Sequence, residues 1–172
     1  MTETESARYL EARQAITDQI YRYCRAVDRL DPELGHSLWH SESYADYGDY
    51  YRGDGPGLID QICAQHRETV GHSHQVSNIL VDVDGDRAGS EAYVTARVRV
   101  QQDGRLMELT LCSRYIDQWS EREGRWALNR RTALIDLEDI REVTPMGNPT
   151  GQGSRDRNDP SYAVLGAASS HD

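Results

Sequence analysis

Gly71-His72-Ser73-His74-Gln75-Val76-Ser77-Asn78-Ile79-Leu80-Val81-Asp82-Val83 reads as a β-strand, with imidazoles and an amide where a plain sheet would carry Val or Ile. Side chains alternate along a strand, which places His72, His74, Val76, Asn78 and Leu80 on one face and Ile79, Val81 and Val83 on the other. Both faces are partly apolar, so the strand is expected to be covered on both sides. A His held there is either a hydrogen-bonded core group or a base.

Downstream the strand continues into a meander. After the turn Asp84-Gly85-Asp86, residues 89–102 put Ala92, Val94, Ala96, Val98 and Val100 on one face and Tyr93, Thr95, Arg97 and Arg99 on the other. Further strands are expected over 105–119 and 125–136, joined at Asp103-Gly104 and Glu123-Gly124. Asp-Gly and Glu-Gly junctions are hairpin signals, so the four strands are antiparallel. Upstream, Ile16, Ile20, Tyr23, Val27 and Leu30 recur at three- and four-residue steps within 6–30, which predicts an amphipathic helix. Asp28 lies beside that stripe near the helix C-terminus, where the macrodipole disfavours a carboxylate by up to about 1 kcal/mol. It either serves a purpose there or pairs with Arg25 or Arg29 in solvent.

Asp31-Pro32 opens a short helix through His40, on which His36 and His40 are four residues apart and are expected on a solvated face. A short hairpin over 43–53 and a third helix capped by Asp54 complete the N-terminal half. Helices first and a meander second predict an α+β domain over 1–140, the helices packed on one face of the sheet. Beyond Ile140 the periodicity ends. The tail 141–172 is expected to be either disordered or an arm over a neighbouring subunit, Tyr162, Val164 and Leu165 forming an apolar patch in it.

Composition narrows the function. With 172 residues, 37% of them hydrophobic, the chain fits one domain and one site. A formal charge of −10, from 29 acidic and 19 basic residues, opposes binding to nucleic acid or to an anionic membrane surface. No run approaches a membrane span and the first residues are acidic, which points to a cytoplasmic location. Cys24, Cys63 and Cys112 are expected to be reduced thiols. With ten Tyr, three Trp and no Phe, a pocket would be aromatic with polar tips, suited to a hydroxylated ring. His72-x-His74 has the form of a metal-binding pair, but the glutamate such sites need soon after is missing and the helical N-terminal third does not fit a jelly roll. No metal is expected.

Three segments, Ala15-Ile16-x-x-x-Ile20-x-x-Tyr23-x-x-x-Val27-Asp28, His74-x-x-x-Asn78 and Gly124-Arg125-Trp126, together with the element order, resemble the SnoaL-like branch of the nuclear transport factor 2 superfamily. The resemblance spans roughly residues 8 to 136 and implies a cone, a bent sheet wrapped around helices. Within that branch the chain is most similar to the cofactor-free lyases that include scytalone dehydratase, hexachlorocyclohexane dehydrochlorinase and bile-acid 7α-dehydratase. Their dyad, an Asp at the end of the first helix and a His on the first long strand, matches Asp28 and His74. Tyr23, Tyr47 and Arg131 fall where members of the group carry pocket residues, although the dehydrochlorinases have a Lys in place of Tyr23.

The resemblance implies an elimination on a small cyclic or aromatic hydroxylated substrate with no cofactor. His74 would take a proton from carbon, an imidazole of ordinary pKa about 6.5 being suited to this near neutrality. Asp28 would fix the tautomer. Tyr23, Tyr47 or Arg131 would assist the leaving group, with Asn78 beside them. Isomerases of the ketosteroid type, polyketide cyclases and non-catalytic binding modules share the cone. A binding module predicts that His74 and Asp28 do not meet, or that the cavity is filled by side chains. A homo-oligomer, a trimer rather than a dimer, is also implied.

Overall fold

The computed structural model describes residues 2–145 and 153–165. Helix α1 (Glu3–Asp28) starts at a capping box, in which Thr2 and Glu5 satisfy each other's backbone N–H, and buries Ile16, Ile20, Tyr23 and Val27, the stripe read from the sequence. It ends where Leu30 turns left-handed at φ 51°. There Asp31 N–H reaches the Ala26 carbonyl at 2.9 Å and Leu30 N–H the Val27 carbonyl at 3.3 Å, the pairing of a Schellman ending with Leu in the place usually taken by Gly.

Helix α2 (Pro32–Ser37) is capped by Asp31, and α3 (Gly55–Arg67) by Asp54, each with proline in its first turn. Strands β1 (Trp39–Asp46), β2 (Arg52–Gly53), β3 (Gly71–Asp84), β4 (Arg87–Gln102), β5 (Arg105–Arg122) and β6 (Arg125–Glu142) form one sheet in the order β2-β1-β6-β5-β4-β3. The sheet is curved and unclosed. β3 to β6 are the expected antiparallel meander, and β1 joins it in parallel with β6. At two of the hairpins, Asp103-Gly104 and Glu123-Gly124, both residues have positive φ, as a type I′ turn requires. The core lies between the helices and the inner face of the sheet, where Ile16, Ile20 and Tyr23 meet Ala92, Val94, Tyr115, Trp119 and Leu128. Among the described residues no helix is long and apolar enough to cross a membrane. The three cysteines are free thiols, Cys24 and Cys63 buried.

Three expectations are corrected. β3 does not alternate through to Leu80: Asn78 and Ile79 together oppose Ala92, a bulge with Asn78 at φ 48°, so Val81 is buried while Leu80 is 66% exposed. His40 is not on a solvated helix face with His36. It is the second residue of β1, buried, with Nε2 at 3.1 Å from the Ser120 carbonyl, while His36 pairs with Asp60. β6 runs six residues past the expected end at 136, and its last half is exposed on both faces.

Residues 153–165, which include the short helix α4 (Pro160–Leu165), are tied to the helices of their own chain. Arg157 reaches Asp31 and Glu33, the Tyr162 hydroxyl donates to Asp31 at 2.8 Å, Arg25 donates to Ser161, and Arg29 faces Asp159. Residues 146–152 and 166–172, the remainder of the expected tail, lie outside the described residues.

Candidate active site

Packing of α1 against β3 brings the last residue of the helix to the strand that carries the imidazoles. Asp28 accepts three hydrogen bonds from one residue: the His74 backbone N–H lies 3.1 Å from both carboxylate oxygens, and His74 Nδ1 lies 2.8 Å from Oδ1. These donors offset the unfavourable helix dipole at that position. The carboxylate can only accept, so Nδ1 carries the proton and Nε2 is left with its lone pair. Nε2 has no partner among the described residues and keeps some solvent access. The two side chains are 9% and 16% exposed.

Two further imidazoles back this pair. His72 Nε2 lies 3.2 Å from the Val27 carbonyl and His66 Nδ1 2.9 Å from the Ile62 carbonyl, and since a carbonyl cannot donate, each of these nitrogens bears the ring proton. The ring of His66 sits 4.3 Å from that of His72 and 5.7 Å from that of His74. Burial, and then His66, pushes His72 down to about 4; burial lowers His66 as well. Both are therefore neutral near pH 7. Among the described residues no three His, Cys, Asp or Glu side chains are placed to hold a metal ion.

In the unfolded chain these two rings charge below about 6.5. They resist the proton when folded, so the stability they contribute is complete above that pH and falls away as pH drops toward the folded value of about 4 for His72. Urea midpoints are expected to decline from pH 7 to pH 5, and His66→Phe with His72→Phe to flatten that decline.

The tyrosines form a second cluster. Tyr23 and Tyr47 share a hydrogen bond of 2.9 Å between their hydroxyls, and the rings of Tyr23 and Tyr115 meet edge to face at 5.5 Å. Burial first, and the neighbouring phenols next, raise Tyr23, Tyr47 and Tyr115 well above the ordinary phenol range, so all three keep their protons. One proton of the Tyr23–Tyr47 pair is used between them, and the Tyr115 hydroxyl stands beside Tyr47 in the same cluster.

Arg131, expected as a donor to a leaving group, is fully buried and held by both oxygens of Asp117 at 2.7 Å. Its guanidinium lies 4.1 Å from the centre of the Tyr23 ring and 4.0 Å from that of Tyr115. NH1 finds no hydrogen-bond acceptor and lies between aromatic faces instead. Arg131 thus acts on its surroundings through the phenol rings. Asn78, at the exposed bulge, belongs to neither cluster.

Beside the dyad the sheet offers a floor that is apolar except for one carboxylate, Glu138. His74 is followed across the inner face by Ala96, Leu111 and Glu138, and His72 by Val98, Leu109 and Ile140. A hollow of about 530 Å³ lined by Asp82, Asp84, Trp119 and Glu121 contains none of the candidate residues. It lies roughly 27 Å from His74 along β3.

Sequence reasoning missed His66 and Asp117. His66 stands in the last turn of α3, where a His is a common helix-end residue. Asp117 was detectable only through its register with Arg131.

The family described as the SnoaL-like domain matches residues 8–132. Among solved structures, a scytalone dehydratase candidate from Novosphingobium aromaticivorans is 21% identical, covers 82% of this chain and 97% of its own, and has a TM-score of 0.67. The hexachlorocyclohexane dehydrochlorinase LinA-type3 from Novosphingobium barchaimii is 14% identical over 83% of this chain and 97% of its own, at a TM-score of 0.68. A protein of unknown function from Mycobacterium tuberculosis is 17% identical over 97% of this chain and 90% of its own, at 0.61. At such identities the likeness is one of fold. No curated protein matches the chain.

Proposed function

The chain belongs to the SnoaL-like domain family of the nuclear transport factor 2-like superfamily, and on that premise we propose that it is a lyase catalysing an elimination with Asp28 and His74 as the reacting pair. His74 Nε2 takes a proton from carbon, the electrons of that C–H bond form the double bond, and the β-substituent departs with the electrons of its own bond. A hydroxyl of the tyrosine cluster gives its proton to the departing oxygen, which leaves as water, and the imidazolium returns its proton to that phenol through solvent. Protons and electrons balance without a cofactor. Arg131, behind the phenol rings, favours the negative charge that develops at the leaving group.

One observation carries the reading: the 2.8 Å bond from His74 Nδ1 to a carboxylate that also accepts the His74 backbone N–H, which commits Nδ1 and leaves Nε2 basic. The floor beside it, apolar except for Glu138, supports a substrate with a ring system that carries a polar group. Four strands span about 14 Å, which accommodates several fused rings rather than a single small one.

The test is incubation of the purified protein in deuterated water with hydroxylated steroids, polyketides and aromatic-ring compounds, followed by mass analysis. Loss of the mass of water is the expected result. Deuterium uptake without loss of a group would overturn the elimination in favour of an isomerase.

A further inference from the structure

Strand β6 alternates inward and outward from its start, with Arg131, Ala133 and Ile135 opposite Asp117, Tyr115 and Ser113 on the inner face. Continued without a break, that alternation would turn Leu137 toward the helices and Glu138 away from them. The reverse is observed. Ile135 opposes Ser113 but Leu137 opposes the next residue of β5, Cys112, so Asp136 is an extra residue and the faces exchange beyond it. Leu137 consequently points outward, 70% exposed, and Glu138 points inward. The extra residue is pinned: Arg114 holds both oxygens of Asp136, at 2.7 and 2.9 Å, and is itself held by Glu91 at 3.1 Å. A bulge that exposes a leucine in order to bring in an acid re-aims a side chain, the use bulges have beside sites.

The acid it brings in stands in line with the base. His74 is opposite Ala96, Ala96 opposite Leu111, and Leu111 opposite Glu138. Three strand spacings separate the two ends, about 14 Å. Between them the surface is apolar, and beside it run Val98, Leu109 and Ile140. Asp136 and Glu142, the neighbouring acids of the strand, face Arg114 and Arg105. The Glu138 carboxylate is exposed and has no partner among the described residues.

We propose that Glu138 is a substrate-binding residue, whose carboxylate accepts a hydrogen bond from a hydroxyl or ammonium group at the far end of a fused-ring substrate that reacts at His74. A carboxylate only accepts, so it selects a donor and disfavours a ketone at the same position. With the reacting carbon at one end and a bonded donor at the other, the ring system has one orientation on the floor. This assignment rests on reading Asp28 and His74 as the reacting pair and adds the chemical class of what they act on.

Its test is binding rather than turnover. The purified full chain is titrated by calorimetry with a saturated steroid carrying one terminal hydroxyl, and with the matching ketone and amine. Wild type is expected to bind the alcohol or the amine about ten- to hundredfold more tightly than the ketone, the range of a hydrogen bond to a charged group. The tighter of the two donors identifies the group the subsite takes. Glu138→Leu, at an exposed position, keeps the fold and loses the preference, while the ketone binds no more weakly than before. Glu138→Gln, which can also donate, narrows the preference by admitting the ketone. Deletion of Asp136 restores simple alternation, turns Glu138 outward and loses the preference although the acid is still present.

Equal binding of all three compounds by wild type, binding of none, or a donor preference that survives in Glu138→Leu overturns the proposal. So does a change of oligomeric state in Glu138→Leu with the preference intact, measured by analytical ultracentrifugation, which would assign the floor to a second copy of the chain. A donor preference that depends on Glu138, in a protein that eliminates nothing, would keep the subsite and remove the lyase. Elimination by a protein whose Glu138→Leu variant keeps the preference would do the opposite.

Discussion

His74→Ala is expected to lower kcat for the elimination by about 10²–10⁴-fold, the usual contribution of a positioned general base. The ring is nearly buried, so its removal leaves a small cavity, but the backbone N–H bond to Asp28 persists and the fold is expected to survive, the loss being one of chemistry. Asp28→Asn is expected to cost nearly as much although it keeps the shape of the carboxyl. An amide can turn its NH₂ toward His74 Nδ1, which then becomes the acceptor and moves the ring proton to Nε2, the nitrogen that has to be basic. The double variant falls little further than either single one, because the residues act as a unit. Steady-state kinetics on a substrate found by mass analysis measures all three. An Asp28→Asn protein with nearly wild-type kcat would show that the carboxylate does not set the tautomer and would remove Asp28 from the mechanism.

Arg131→Met is expected to cost about 3–5 kcal/mol in urea, because it leaves the buried Asp117 carboxylate without its counter-charge. Both side chains are fully shielded from solvent and meet through two bonds of 2.7 Å. The loss extends to packing, since the guanidinium fills the space between the Tyr23 and Tyr115 rings. Adding Asp117→Leu to Arg131→Met removes the orphaned charge, and the double variant is expected to recover part of the stability. If Arg131→Met unfolds at the wild-type urea concentration, the pair is not a structural element of the core and Arg131 is free for another role.

The contrast between these two sites shows what the sequence discloses. Asp28 and His74 were legible because each is out of place locally, an acid at the wrong end of a helix and an imidazole in an apolar strand, and because the segments around them resemble a family. Arg131 was legible as a residue but not in its partner. Asp117 becomes that partner only when β5 and β6 pair in one register, with a bulge between Gln118 and Trp119 that no composition signal marks. His40 misled because Asp31-Pro32 announces a helix without saying that it stops after six residues. The run Ser154-Arg155-Asp156-Arg157-Asn158-Asp159 has the composition of a solvated tail, yet Arg155 finds partners at the end of α3, in the turn after it and on β3, and Arg157 at the start of α2. Those partners are more than 80 residues away in the chain, beyond the reach of any local pattern.

The bulge in β3 sets Asn78 outside the alternation of its strand. With that one residue removed on paper, the inward side chains of the strand run without interruption: His72, His74, Val76, Ile79, Val81, Val83. Asn78 is therefore supernumerary, an extra unit of length in one strand of a pair. A strand given more length than its neighbour bows, as the longer strip of a bimetal does. The residue adds arc, not a functional group, and its amide side chain matters chiefly because it makes the left-handed backbone there inexpensive. An Asn four positions after the strand histidine can thus mark the bend of the wall that faces a site without touching anything bound there.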